Sequence, residues 1–391
     1  MTTCRLCQQN AVSELLDFGA QPLCNRFLRT AQEPQYTHPL AVGQCSQCGV
    51  VQLLDPPPST ELRPRVDWIS YNEPESHLDA VADRIRALPG LTEHSVICGV
   101  SYKDATTLRR LRDRGLPHTW CLDPAADLNI SELGAGVETI QGRLAPSAER
   151  VARAHGRADV VIARHILEHA HDLPGFFRGL TQLLKPQGYL VVELPDCRRA
   201  LAECDYSSVW EEHVFYFTPQ TFRDAFAFGG YRLVQFDSYP YALENSLVGI
   251  AQPDHPLRPA AAPELGLGHT LRDNFAPARA RLNSVLRRQP GKIAFLGAGH
   301  LSCVFINLFG LADRIEFVVD DNPHKQGLFM PGSRLPIRGS AALVEADIQL
   351  CLLCLSPETE GKVIGKNQPF LQRGGRFASI FSGSPYALQT A

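Results

Sequence analysis

The chain has 391 residues, enough for two or three domains, with 44% hydrophobic residues and a formal charge of −3. That balance is typical of a globular protein, and without a net positive charge or a run of Lys and Arg it argues against nucleic acid and anionic membranes as partners. No segment reaches the roughly 20 apolar residues of a spanning helix and no apolar stretch precedes Cys4, so we expect a cytoplasmic protein without a signal peptide.

Four cysteines in the N-terminal region form two closely spaced pairs. Cys4 and Cys7 form one Cys-x-x-Cys motif, and Cys45 and Cys48 form the second. Two such pairs supply the four thiolates of a closed tetrahedral zinc site, whereas unrelated core cysteines explain one pair better than two. We therefore predict a small N-terminal module with structural zinc. The other cysteines mostly lie in apolar runs, and we interpret them as core residues.

After an amphipathic helix over about 77–88, short apolar strands alternate with helices, which predicts a parallel α/β sheet. The first strand ends at Gly99 in the turn Ser101-Tyr-Lys-Asp104, and a second strand leads to Asp123. A glycine turn after one strand and an acid after the next are typical of a Rossmann-like cofactor site. With a single glycine, the same pattern also fits an ordinary turn between strand and helix.

The buried strand 159–163 is followed by His165 and His169. Their spacing predicts that both imidazoles lie on one face at the start of a helix, at the edge of the sheet where ligands bind. We interpret them as lining a cleft. A metal site and a capping or surface role are the alternatives.

The tract 210–217 places a histidine beside carboxylates and aromatic residues. Glu212 precedes His213, and a carboxylate that orients an imidazole in a dry pocket makes it a better general base. A structural histidine, with its hydrogen bonds made inside a loop that aromatic residues pack against, is an equal alternative. Tyr71 is a second candidate, because its phenol is suited to stabilise an oxyanion, although a core tyrosine is the simpler interpretation.

A Pro- and Ala-rich connector over 252–267 and a long polar helix, about 271–288, precede the last unit. There Gly297-Ala-Gly299 follows a strand, and Asp320 and Asp321 end the next one. This pattern predicts a second Rossmann-like domain, and on these residues alone a dinucleotide site stays open.

In this order the motifs resemble the zinc-containing, S-adenosylmethionine-dependent sugar C-methyltransferases that act on nucleotide-linked keto-deoxysugars, as a divergent subgroup. The matching motifs are the two Cys-x-x-Cys pairs, Arg164-His-Ile-Leu-Glu-His169, Leu183-Leu-Lys-Pro-Gln-Gly188, Glu193-Leu-Pro195, Glu212-His213 with Tyr216-Phe217, and Asp320-Asp-Asn-Pro-His-Lys-Gln-Gly327 with Pro331-Gly. The resemblance implies a zinc-binding module over 1–65, a methyltransferase domain over 66–252 and a Rossmann-like substrate domain over 268–391 that does not bind NAD.

The resemblance also implies site residues. It gives His213 as base, Glu212 beside it, Tyr71 on the sugar oxygen and His169 near the enolate. It implies that S-adenosylmethionine contacts Gly99, Ser101, Asp104, Asp123, Arg164 and His165, the last at a position often held by Asn. It implies methyl transfer to the carbon next to a ketone, in natural product biosynthesis, by a monomer or homodimer.

The first turn departs from the pattern of these methyltransferases. Lys103 brings a positive charge toward a sulfonium cofactor, which is unfavourable unless the side chain is turned outward or paired, and Asp104 is a candidate partner. Two alternatives therefore stay open beside methyl transfer. One is a keto-sugar epimerase or isomerase on the same scaffold, and the other is a non-catalytic binding module.

Overall fold

A computed structural model describes residues 2–66, 68–69, 73–130, 135–255 and 262–389. The chain divides into two compact units. The first unit comprises Met1–Glu14, Val42–Arg198 and Glu212–Leu265; the second unit comprises Leu15–Ala41, Arg199–Glu211 and Gly266–Ala391. The division into three domains therefore stays a prediction. Within the described ranges, no helix is both long and apolar enough to cross a membrane.

Regular elements follow the alternation expected from the sequence. The strands of the described chain are, in order, β1 (Thr2–Thr3), β2 (Asn10–Pro22), β3 (Thr37–Cys45), β4 (Val51–Leu53), β5 (Ile97–Gly99), β6 (Thr119–Cys121), β7 (Ala158–Arg164), β8 (Leu184–Asp196), β9 (Phe215–Tyr216), β10 (Tyr231–Tyr239), β11 (Asn245–Pro253), β12 (Lys292–Leu296), β13 (Val318–Val319), β14 (Ile337–Arg338), β15 (Ile348–Leu353) and β16 (Arg376–Ser379). The α-helices are α1 (Ser59–Leu62), α2 (Leu78–Arg86), α3 (Ala105–Asp113), α4 (Val137–His155), α5 (Leu173–Leu183), α6 (Arg198–Glu203), α7 (Pro219–Phe228), α8 (Gly266–Arg288), α9 (His300–Phe309), α10 (Ala342–Glu345), α11 (Pro357–Lys366) and α12 (Gln368–Gln372). The predicted helices near 77–88 and 271–288 are thus confirmed as α2 and α8.

The main sheet of the first unit has the strand order β10-β11-β8-β7-β5-β6. Strands β6, β5, β7 and β8 are parallel, and β11 is antiparallel to both β8 and β10. Both faces are buried, so successive residues of β7 serve different cores: Val160 and Ile162 join α2 and α3, while Val161 and Ala163 join α4 and α5. The parallel strands end together, which brings Gly99 and Arg164 to one edge.

A second sheet has the order β1-β2-β3-β4-β9. In the first unit, β4 pairs antiparallel with β3 and with β9, and the Leu53 amide donates to the Val214 carbonyl at 2.9 Å. Strand β9 therefore fixes the backbone immediately after His213 against the strand that follows the second cysteine pair.

The second unit contains the parallel sheet β14-β13-β12-β15-β16. Cys351 is a buried residue of β15, which confirms it as a core cysteine. The turn after β12 contains Gly297, whose φ of +107° and Cβ position 2.9 Å from the Cys354 carbonyl oxygen both require glycine. Helix α9 begins directly after Gly299, so this unit has the predicted Rossmann-like start.

Candidate active site

The four N-terminal cysteines converge in the first unit. The Sγ atoms of Cys4 and Cys48 are 3.7 Å apart, those of Cys7 and Cys45 are 3.6 Å apart, and all four lie within 4.8 Å of one another. These distances are too long for disulfides, whose sulfurs are about 2.05 Å apart. They match the edge of a tetrahedron with zinc–sulfur bonds of about 2.3 Å, which is about 3.8 Å. The donor set therefore fits one closed, structural zinc ion.

The turn after β5 is held by a buried carboxylate. Asp104 accepts hydrogen bonds from the amides of Val100 and Ser101, both at 2.8 Å, and from the Arg164 amide at 2.9 Å. Burial raises the pKa of Asp104 to about 7, although these hydrogen bonds and Arg164 oppose the rise. A Cβ on Gly99 would lie 2.9 Å from the Asp104 Cβ, so the turn excludes larger residues. Asp104 thus ties the end of β5 to β7 and is enclosed by the protein.

Lys103 is paired, but its partner is not Asp104. The Lys103 ammonium donates to Glu73 Oε1 at 2.5 Å, and its side chain is only 8% exposed. Asp104 was the partner suggested by the sequence, because it directly follows Lys103. That carboxylate is occupied by three backbone amides, so the segment before α2 supplies the acid instead.

Asp123 lies two residues beyond β6 and is exposed. Its Oδ1 accepts from the amides of Ala125 and Ala126, at 2.9 and 2.7 Å. The carboxylate is therefore fixed in orientation at the ligand-binding edge while remaining open to solvent. Its role as acceptor of ribose hydroxyls stays a prediction.

Arg164 and His165 are organised around Glu193 of β8. Arg164 donates to both Glu193 oxygens, at 2.6 and 3.2 Å, and His165 and His77 lie 3.2 and 3.1 Å from Glu193 Oε1. Burial lowers the pKa of His165, but the carboxylates of Glu73, Glu168 and Glu193 outweigh it and raise that pKa to about 10. His165 is therefore a buried imidazolium, and both its ring nitrogens face carboxylates.

The two histidines after β7 do not share a helical face, so that expectation was wrong. His165 has φ +47°, a short 3-10 helix spans Leu167–His169, and α5 begins only at Leu173. The cause is local: the Asp172 side chain accepts the Gly175 amide at 3.0 Å and caps α5 there. As a result His165 faces Glu193, whereas His169 faces the segment that carries His213.

His169 and His213 meet edge to face, with ring centroids 4.8 Å apart and an angle of 86° between the rings. Nitrogen atoms of both rings and a carboxylate oxygen of Glu168 lie within 4.8 Å of one another. On the other side, Glu138 Oε1 is 3.6 Å from His169 Nδ1, and Glu138 is hydrogen-bonded to Glu212. His213 is half-buried, whereas the other four are buried. The cluster therefore presents one imidazole to solvent.

Sequence reasoning did not identify Glu138 or Glu168 as members of this cluster, or Glu73 as the partner of Lys103 and His165. Each is an ordinary acidic residue on a helix or loop, and only the fold brings it to the histidines. Glu168 and Glu193 both lie within motifs quoted above, and the place of Glu193 after a buried apolar run was the one further signal. Tyr71 lies outside the described residues.

The glycine turn of the second unit has its own carboxylate. Asp320 accepts from the Ala298 amide at 3.0 Å and from the Lys325 ammonium at 2.9 Å. The acid that would accept ribose hydroxyls in a dinucleotide site is thus already engaged by the protein, which does not favour NAD.

Models of protein families match three parts of the chain: a zinc binding domain over residues 4–62, a methyltransferase domain over 76–235 and a C-methyltransferase C-terminal domain over 273–381. The C-methyltransferase NovU of Streptomyces niveus is 28% identical over an alignment of 402 positions, which covers 96% of this chain and 94% of NovU.

Two solved methyltransferase structures resemble part of this chain. The 1,6-didemethyltoxoflavin-N1-methyltransferase of Burkholderia thailandensis, with bound 1,6-didemethyltoxoflavin and S-adenosylhomocysteine, is 13% identical over 46% of this chain and 79% of its own, with a TM-score of 0.32. A SAM-dependent methyltransferase from Anabaena variabilis is 13% identical over 44% of this chain and 83% of its own, with a TM-score of 0.31.

The family matches confirm the α/β fold, the zinc-binding N-terminal region and a methyltransferase that uses S-adenosylmethionine. They favour methyl transfer to carbon over the isomerase and the binding-module alternatives.

Proposed function

Because the chain belongs to the zinc-containing, S-adenosylmethionine-dependent C-methyltransferases, we propose that it methylates the carbon next to the ketone of a nucleotide-linked keto-deoxysugar, with His213 as the base. One observation carries the proposal: His213 is the solvent-facing member of a buried cluster of imidazole and carboxyl groups at the ligand-binding edge.

The cluster is suited to accept a proton on His213. Burial, His213 and Lys103 all hold the pKa of His169 well below its usual range, so His169 stays neutral beside an imidazolium. A carboxylate oxygen of Glu168 lies within 4.8 Å of nitrogen atoms of both rings, and a carboxylate oxygen of Glu212 lies within the same distance of a His169 nitrogen. A negative charge beside the rings stabilises a protonated His213. Glu168 thus joins Glu212 as a candidate for orienting the base.

In the proposed reaction His213 removes the proton next to the ketone. The electrons form an enolate, whose oxygen His169 and Tyr71 stabilise as hydrogen-bond donors, and the enolate carbon takes the methyl group. S-adenosylmethionine, when bound, supplies that electrophilic methyl. His169 already donates to the Glu212 carbonyl, so we propose that its ring turns to donate to the substrate oxygen instead.

The cofactor residues divide into two groups. Asp123 is exposed at the ligand-binding edge, and Gly99 and Ser101 are buried in the turn at the same edge; these three are proposed to contact the cofactor. Asp104, Arg164 and His165 are buried among their own partners, and we propose that they act by holding the turn and the end of β7 in place.

The test is methyl transfer from S-[methyl-¹³C]adenosylmethionine to a panel of nucleotide-linked keto-deoxysugars, followed by carbon NMR. The proposal predicts a new ¹³C-methyl bonded to the carbon beside the carbonyl, and its loss in His213→Asn. A matched control is His155→Asn, because His155 stacks on Trp120 outside the cluster. A label on oxygen or nitrogen, or full activity of His213→Asn, would refute it.

A further inference from the structure

The ion pair between Lys103 and Glu73 lies in the first unit beside the turn that follows β5. The Lys103 ammonium meets Glu73 Oε1 at 2.5 Å, and Glu73 Oε2 lies 3.7 Å from His165 Nδ1. The Lys103 carbonyl accepts from Arg164 Nη1 at 2.6 Å, so the backbone that carries the ammonium is fixed to the end of β7. The pair therefore has a defined position at the ligand-binding edge.

Both charges are largely removed from water, with side-chain exposures of 8% for Lys103 and 24% for Glu73. Their desolvation is costly, and a pair of this kind is often no more stable than apolar side chains in its place. Such a pair is better explained by a ligand than by stability. The turn itself does not depend on it, since Asp104 and Arg164 already hold the turn through the backbone.

The pair also lies close to the proposed methyl-transfer centre. Burial raises the pKa of Glu138, and the charge of Lys103 opposes that rise; Lys103 likewise lowers the pKa of His169. Glu73 has a pKa of about 2, because His165 and Lys103 overcome its burial, and His213 acts in the same direction. An ammonium and a carboxylate thus stand side by side within electrostatic reach of the cluster.

S-adenosylmethionine carries the matching groups at its amino acid end, an α-ammonium and an α-carboxylate. We propose that Glu73 and Lys103 bind this zwitterion, with Glu73 accepting the ammonium and Lys103 donating to the carboxylate. In the free protein the two side chains satisfy each other, and on binding each exchanges its partner for the opposite group of the ligand. Charge is conserved in the exchange, so no ion is left buried without a partner.

This assignment explains the positive charge in a turn that faces a sulfonium cofactor. A lysine aimed at the sulfur would oppose binding, whereas a lysine neutralised by the ligand's own carboxylate does not. The inference rests on the cofactor and not on the proposed substrate or on His213 as base. It is therefore tested without a substrate.

The experiment uses calorimetry on the full-length protein with three thioethers that share the adenosine and an uncharged sulfur. S-adenosylhomocysteine carries both charges, S-adenosyl-3-thiopropylamine carries only the ammonium, and 5′-methylthioadenosine carries neither. Lys103→Met should weaken the binding of S-adenosylhomocysteine about 10- to 100-fold and leave that of 5′-methylthioadenosine within threefold. It should not weaken the binding of S-adenosyl-3-thiopropylamine, because it frees Glu73 for the ammonium. Glu73→Gln should weaken the binding of S-adenosylhomocysteine and of S-adenosyl-3-thiopropylamine by a similar factor, and it should leave the affinity for 5′-methylthioadenosine within threefold.

Two control variants accompany these. Lys103→Arg keeps the charge and should retain at least a tenth of the affinity for S-adenosylhomocysteine. Glu75→Gln makes the same change on a neighbouring acid that contacts Arg110 and Thr106, and it should leave the relative affinities of the three probes unchanged. Equal weakening of all three probes by Lys103→Met and Glu73→Gln would show that the pair only holds the turn. No effect on any probe would place the pair outside the cofactor site, and either result overturns the inference.

Discussion

Replacement of Glu193 by Gln tests the buried centre on which the site is built. The carboxylate is 1% exposed and receives both Arg164 nitrogens, at 2.6 and 3.2 Å, together with His165 and His77. Burial alone would raise its pKa, yet Arg164 and the histidines hold that pKa well below the usual range. The amide keeps the shape but leaves the Arg164 guanidinium without its paired carboxylate, and it removes one of the three carboxylates around the His165 imidazolium. Breaking a buried pair in this way costs about 3–5 kcal/mol, a large part of the roughly 5–15 kcal/mol of a typical domain.

Hydrogen–deuterium exchange of peptides from β7 and β8 measures this cost in the first unit directly. We expect Glu193→Gln to lower the opening free energy of these peptides by about 3 kcal/mol or more. Glu149→Gln is the matched control, since its partner Arg153 is exposed and the change should cost less than about 0.5 kcal/mol. If the opening free energies of Glu193→Gln and Glu149→Gln agree within about 1 kcal/mol, the contacts of Glu193 do not provide the stability that we assign to them.

Three further predictions follow from the same contacts. The wild-type chain should contain one zinc per molecule by elemental analysis, and Cys48→Ser should lose it; stoichiometric zinc in that variant would contradict the four-thiolate site. Because the pKa of His165 is about 10 against an ordinary 6.5, its contribution to stability is complete below pH 6.5 and is lost toward pH 10. In urea titrations the free energy of unfolding should decline by up to about 5 kcal/mol over that pH range, and His165→Asn should make this free energy less dependent on pH. Glu138→Gln removes the hydrogen-bonded carboxyl pair with Glu212, so it should lower kcat about tenfold and shift the pH profile of kcat. The KM for S-adenosylmethionine should stay within twofold. An unchanged pH profile would show that the pair is only structural.

The scaffold could be predicted from the sequence because its signals are local. Two Cys-x-x-Cys pairs identify a zinc site without any knowledge of the fold, and the fold brings all four sulfurs together. The apolar run of β7 indicates a strand buried on both faces, and its alternate residues do join two different cores.

The interior of the candidate site could not be predicted, because its members come from separate elements. Glu138 lies in the first turn of α4 and Glu168 in a 3-10 helix, and nothing in either neighbourhood marks it as a partner of His169. The histidine spacing was misleading because a four-residue interval implies one helical face only if the helix has begun. Here the Asp172 cap delays α5, and the positive φ of His165 turns that ring toward β8.

The central claim is that His213 takes the proton next to the ketone. The most direct measurement is proton NMR of a nucleotide-linked keto-deoxysugar in deuterium oxide, with S-adenosylhomocysteine present so that no methyl can be transferred. We predict that the wild-type protein exchanges the proton at that carbon for deuterium and that His213→Asn does so at least a hundredfold more slowly, with unchanged affinity for S-adenosylhomocysteine. Exchange by His213→Asn at the wild-type rate would contradict the claim.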